Sequence, residues 1–158
     1  MGLTINKNFL RVTPKMTPPS PAEGRKVAHQ FVRPDRPETI RTILVVDDDK
    51  QVLRITAKQL EKFGLQVITV NPDESIKNQA LDIVVKEQID LIFMDGQMPG
   101  TSGPEIITDL RKNSFSGYIA ANTTLPDVQD EMLAAGADFK NPDKVDSFPF
   151  FKSLFVPR

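Results

Sequence analysis

No cysteine occurs in the 158 residues, which excludes a disulfide framework, a zinc–thiolate site and a thiol nucleophile. The only histidine, His29, has neither cysteine nor nearby carboxylates as company, and one imidazole alone makes a poor metal site. No apolar run approaches the ~18–20 residues of a membrane span, and the N-terminus lacks the apolar core of a secretory signal. "MGLTIN" begins like a myristoylation motif but has Asn6 where Ser or Thr is required. Nor is there an excess of either charge: the net formal charge of -1 argues against direct nucleic-acid binding. What is present, 39% hydrophobic and 26% charged residues, fits a cytoplasmic globular protein with one proper core.

The charges are unevenly spread. Residues 1–40 hold seven basic side chains against three acidic ones, and six of the thirteen prolines (Pro14, Pro18, Pro19, Pro21, Pro34 and Pro37). Proline removes backbone donors, and the segment has too few apolar residues to offset the entropy of ordering. It reads as a disordered basic tail or linker, with a docking arm for an acidic partner as its functional alternative.

From residue 41 onward the pattern is orderly. "TILVV" (42–46) and "IDLIFM" (89–94) are continuous apolar runs, expected of strands buried on both faces. "LQVITV" (65–70), "GYIAA" (117–121) and "DFK" (138–140) supply three more strands. Helical periodicity lies between them. Leu53, Thr56, Leu60 and Phe63 share one face, and Gly64 ends that helix. "NPDESIKNQALDIVVKEQ" opens with an Asn cap and a first-turn proline, and points Ile76, Ala80, Ile83 and Val84 inward. "TSGPEIITDLRK" offers Thr101 or Ser102 as cap, and "PDVQDEMLAAG" stops at Gly136. "SFPFFKSLF" is a short aromatic helix whose Phe150, Phe151, Leu154 and Phe155 are expected in the core. Five strands alternating with five helices predict an α/β, doubly wound parallel sheet covered on both faces.

Ligand sites of such sheets lie beyond the carboxyl ends of the strands. Asp47, Asp48 and Asp49 directly follow the first strand, and Asp95 directly follows the third. If those strands are neighbours, their carboxylates converge. Two like charges ~4 Å apart repel by about 4 kcal/mol at an effective dielectric near 20. A hard divalent cation such as Mg²⁺ relieves that repulsion in an all-oxygen site. Asp49 is expected to cap the first helix instead.

The stretches "ILVVDDD", "DLIFMDGQMPGTSG", "YIAANT" and "AAGAD", in this order and spacing, resemble the response-regulator receiver domains of two-component signalling. The resemblance covers roughly residues 41–156, about three-quarters of the chain. It implies a flavodoxin-like sheet of order 2-1-3-4-5 with Asp95 as a phosphoryl acceptor. Asp48 would ligate Mg²⁺, Asp47 would hold it directly or through water, and the backbone carbonyl of Gln97 would be a further ligand. Thr123 matches the family's switch hydroxyl, Phe139 its aromatic switch, and Pro99 and Gly103 its turn into the third helix. The implied partners are a histidine kinase or histidine phosphotransfer protein and a downstream protein target, without direct contact to nucleic acid or membrane. The chain would then be a signalling module rather than an enzyme, either standing alone or part of a larger kinase.

One family feature departs. The fifth strand normally ends in Lys-Pro, but here "GADFKNPDK" places Asn141 before Pro142. Lys140 is the nearest substitute to pair with the phosphoryl group, although strand alternation points it to the other face. Lys144 is a second basic residue able to fold back. The alternative reading is a degenerate receiver acting as a phosphorylation-independent binding module. A haloacid-dehalogenase-like phosphatase ranks third, since "MDGQMPGTSG" has no role there.

Overall fold

The computed structural model describes residues 40–71, 76–141, 143–144 and 146–155. The tail assigned to residues 1–40, including His29, therefore lies outside the described residues apart from Ile40, as do residues 72–75, the expected first turn after the Asn71 cap. Ile40 itself is buried in the core.

Five parallel strands form the sheet: β1 (Thr42–Val46), β2 (Gln66–Val70), β3 (Leu91–Met94), β4 (Tyr118–Asn122) and β5 (Phe139–Asn141). Their spatial order is β2-β1-β3-β4-β5, the flavodoxin-like arrangement expected. Among the described residues five helices cover the sheet: α1 (Lys50–Glu61), α2 (Ile76–Glu87), α3 (Gly103–Lys112), α4 (Pro126–Ala135) and α5 (Phe148–Phe155). Alternating side chains divide the core into two layers. Leu44, Val46, Ile92, Met94, Ile119 and Ala121 face α2, α3 and α4, while Ile43, Val45, Phe93 and Phe139 face α1 and α5. β1 and β3 are central and buried on both faces, which is why their sequences are continuously apolar. β2 is an edge strand, and its Gln66 and Thr69 are exposed.

Helix termini follow local chemistry. Asp49 caps α1, accepting from Gln51 N at 2.7 Å and Val52 N at 3.3 Å. Ser102 caps α3 in a reciprocal capping box with Glu105, and Pro104 sits in the first turn. α5 is held by rings: Phe151 lies 4.6 Å from Phe93, and Phe150 lies 5.5 Å from Phe93 and 6.1 Å from Phe139. Phe151 and Leu154 are fully buried, as expected of a short helix that must use its apolar face.

Two strands are displaced from their sequence-based bounds in a way that matters. β4 and β5 each begin and end one residue later than expected, bringing Asn122 and Asn141 into register with each other. Asp138 is excluded from β5 because its carboxylate is committed below the strand, to Ile119 N at 2.9 Å and Arg111 Nη2 at 3.0 Å. A further element was not foreseen: the two-residue strands Gln97–Met98 and Thr101–Ser102 pair antiparallel immediately after Asp95. Pro99 and Gly100 form their turn, with Gly100 at φ +76°, where a side chain would be strained.

Candidate functional site

β1 and β3 pair Val46 with Met94, so the residues that follow them, Asp47 and Asp95, leave the sheet side by side. The backbone continues the ladder one step, with Asp95 N donating to Val46 O at 2.9 Å. Asp47 is fully buried and Asp95 is 3% exposed, while Asp48 is exposed beside them. One carboxylate oxygen from each of the three lies within 4.8 Å of the others. The convergence inferred from strand ends is thus present.

The cation between the two buried carboxylates is Lys144. Its Nζ lies 2.7 Å from Asp95 Oδ1 and 2.8 Å from Asp47 Oδ2. Lys140 is elsewhere: it pairs with Asp130 of α4 at 2.7 Å, on the partly exposed side of the sheet to which strand alternation sends it. The lysine next to Asp95 comes instead from the loop after β5. Within that loop Asp143 Oδ1 accepts from Asp146 N at 2.9 Å, and Ser147 Oγ donates to Asp143 O at 3.2 Å.

The remaining bonds orient the carboxylates. Asp47 Oδ1 accepts from Asp49 N at 2.8 Å, and Asp95 Oδ1 accepts from Gly96 N at 2.7 Å. Asp95 Oδ2 is buried without a hydrogen-bond partner. Burial raises the pKa of Asp95 to about 6, with the charge of Asp47 adding to it and Lys144 opposing it. Asp47 is raised from its ordinary value for the same first reason, burial. Burial pulls the Lys144 ammonium down, but its bonds to Asp47 and Asp95 outweigh that and raise it. An all-oxygen cluster in which neither Asp95 Oδ2 nor Asp47 Oδ2 has a hydrogen bond, the latter meeting only the Lys144 ion pair, fits a hard divalent cation.

Glycines make room for this geometry. A Cβ on Gly103 would strike the carbonyl of Asp95 and come within 2.8 Å of Met132 Cε, and one on Gly96 would sit 3.2 Å from Thr123 Cβ. Gly103→Ala is therefore expected to lower stability by about 1–3 kcal/mol through overpacking. A Tm equal to that of the unsubstituted protein would show that the α3 entry can relax.

The other sequence-selected residues are distributed around the cluster. Thr123 is 4% exposed at the end of β4, beside Gly96, and its Oγ1 accepts weakly from Leu125 N at 3.4 Å. Gln97 is exposed in the hairpin directly after Gly96. Phe139 lies lower, in the α1–α5 layer, 5.7 Å from the Tyr118 ring. Sequence reasoning missed a buried polar chain: Asn141 Nδ2 donates to Asn122 Oδ1 at 2.8 Å and to Ser147 Oγ at 2.7 Å. Its only sequence signal is the pair of Asn residues closing β4 and β5.

Comparison with known proteins agrees with this geometry. The model of the response regulator receiver domain matches residues 43–139. The transcriptional regulatory protein RstA of Escherichia coli is 36% identical over 95 residues, covering 60% of this chain and 38% of RstA. The chain spans about two fifths of the length of the curated relatives it matches. Among solved structures, the chemotaxis response regulator CheY4 of Vibrio cholerae superposes with a TM-score of 0.59 at 26% identity, covering 73% of this chain and 100% of that one. The BeF3-activated N-terminal receiver domain of Klebsiella pneumoniae RstA gives a TM-score of 0.56 at 26% identity, covering 63% and 83%.

Proposed function

The chain belongs to the response regulator receiver family, and from that membership we propose that Asp95 accepts a phosphoryl group from a histidine kinase or histidine phosphotransfer protein in the cytoplasm. The observation that carries this reading is the state of the Asp95 carboxylate. Oδ1 is held by Gly96 N and Lys144 Nζ, while Oδ2 is buried and free. A nucleophile needs one oriented, unshared oxygen, and this is one.

In the proposed step, Oδ2 attacks the phosphorus of a phosphohistidine donor, and an acyl phosphate P–O bond forms. The P–N bond breaks, and the imidazole nitrogen keeps its electron pair and takes a proton from solvent. Asp47, Asp48 and Asp95, together with the Gln97 carbonyl, are the residues that would hold Mg²⁺. The ion would neutralise charge on the equatorial phosphoryl oxygens. Lys144 supplies the second positive charge at the same centre. Hydrolysis of the acyl phosphate at this site would make the protein at most a catalyst of its own turnover, and a signalling module otherwise.

The response is assigned to Thr123 and Phe139. Thr123 Oγ1 holds only the 3.4 Å contact with Leu125 N, so exchanging it for a bond to a phosphoryl oxygen costs little. That movement would shift the β4–α4 connection and, with Phe139 in the layer against α5, change the surface offered to a downstream protein. The alternative of a phosphorylation-independent module rested on Asn141 replacing the strand lysine. Lys144 beside Asp95 supports the acceptor reading over it.

Mg²⁺ alone tests the metal-holding part. At a free concentration ten times its Kd it should stabilise the fold by about 1.4 kcal/mol, or roughly 4–6 °C in Tm. The effect has a defined pH dependence. Because the Asp95 pKa in the fold is about 6, above the 3.8 of a free carboxyl, its contribution to apo stability is fully present below 3.8 and lost as pH rises through 6. Mg²⁺ competes with that proton, so its Tm shift should shrink as pH falls below 6. A shift that stays constant from pH 8 to 5 would place the ion elsewhere.

A further inference from the structure

We infer that Asn122 is a phosphoryl-binding residue, its side-chain amide donating to an oxygen of the group carried by Asp95. The inference rests on the acceptor reading above. Asn122 is completely buried, and its Nδ2 has no hydrogen-bond partner. A buried amide donor left unmade costs stability unless something occupies it.

The register places that donor. Leu91, Ile92, Phe93 and Met94 of β3 pair with Tyr118, Ile119, Ala120 and Ala121 of β4. One step further, the same register brings Asp95 level with Asn122. Phe93 and Ala120 pack on the α1–α5 side, and two residues on, alternation returns Asp95 and Asn122 to that side. β4 lies between β3 and β5 in the sheet. The Asn122 Oδ1 is bound on the β5 side, by Asn141 Nδ2 at 2.8 Å. That bond commits the amide oxygen to β5 and leaves the amino group unpaired, one strand from the end of β3 where Asp95 stands.

Asn141 is the positioning residue. Its two amide hydrogens go to Asn122 Oδ1 and Ser147 Oγ, and Ser147 Oγ in turn donates to Asp143 O. The same chain of bonds thus orients Asn122 and ties down the loop that carries Lys144. This accounts for an asparagine at the end of β5, where the family places lysine: the cation comes from the loop, and the strand end aims an amide.

Thr123 and Asn122 have different parts in this arrangement. Thr123 Oγ1 would exchange its contact with Leu125 N for a phosphoryl oxygen, whereas Asn122 Nδ2 has no bond to give up.

The test uses Mg²⁺ with beryllium fluoride as the phosphoryl mimic on ¹⁵N-labelled full-length chain. The side-chain NH₂ resonances of Asn122 are expected to move downfield on addition of the mimic, and to do so equally in Thr123→Ala. Asn122→Ala should weaken beryllium fluoride binding about tenfold or more, the loss expected for a hydrogen bond to a charged group. Asn122→Thr, which keeps a donor, should recover part of it. If the wild-type protein binds the mimic while the Asn122 NH₂ signals stay in place, the inference is overturned, whatever the alanine variant does to folding. If the wild-type protein binds no mimic at all, the acceptor reading itself falls, and this inference with it.

Discussion

Asp95→Asn is expected to abolish phosphoryl incorporation, with acetyl phosphate or a phosphorylated histidine donor in the presence of Mg²⁺. Intact-mass measurement should find one added group on the wild-type chain and none on the variant. The size of the effect follows from the geometry. Asp47 is held through Oδ1 by Asp49 N and through Oδ2 by its ion pair with Lys144, and Asp48 is exposed and without the buried lysine contact. Neither can replace an oxygen that is at once buried, oriented and unshared. The substitution keeps the volume of the side chain and removes a buried negative charge whose pKa burial has pushed up to about 6. The variant should therefore fold at least as stably as the parent at pH 7, because a buried carboxylate no longer has to be held ionised. Loss of labelling with unchanged or raised Tm separates chemistry from folding. Continued labelling of Asp95→Asn at the parental rate would assign the acceptor to a different residue.

The reach of the sequence differs between the sheet and the site. β1 and β3 were legible because strands buried on both faces are continuously apolar. Asp47, Asp48 and Asp95 were legible because a charge directly after such a strand can only emerge at its carboxyl end. Asp49 was legible as a cap by local chemistry, and of the two candidates Thr101 and Ser102 the structure uses Ser102; each cap binds a backbone amide within three residues. All of these are short-range properties.

Lys144 and Asn122 are different in kind. Alternation correctly sends Lys140 away from the site, toward Asp130, but it cannot say which distant cation takes its place. Lys144 is 49 residues from Asp95, and its position depends on a loop conformation fixed by Asp143, Asp146 and Ser147. Asn122 was passed over for a subtler reason. A one-residue uncertainty at the end of β4 decides whether residue 122 belongs to the strand and to which side it points. The structure extends β4 through Asn122 and β5 through Asn141, and that single step converts two unremarkable loop residues into a buried pair.

Lys144→Ala should be strongly destabilising. Removing the ammonium leaves Asp47 and Asp95 facing each other in the interior, both with pKa values already raised by burial. Breaking a buried ion pair by deleting one partner costs about 3–5 kcal/mol, and the 20% exposure of the Lys144 side chain puts the expectation near the lower end. The sign with pH is specific. With the lysine gone, the two carboxylates repel only when both are ionised, so the loss should be largest at high pH and fade as acid neutralises one of them. Mg²⁺ should restore much of the stability at neutral pH, since a divalent ion can take over the charge that Lys144 supplied. Phosphorylation should still fall, because the proposed step draws on the charge of Lys144 as well as on that of the ion. Lys140→Ala is the matched control: its partly exposed pair with Asp130 should be worth no more than about 1 kcal/mol and leave labelling intact. Equal Tm losses for the two alanine variants, with no pH dependence in either, would remove Lys144 from the electrostatic centre and return the family's missing lysine to an open position.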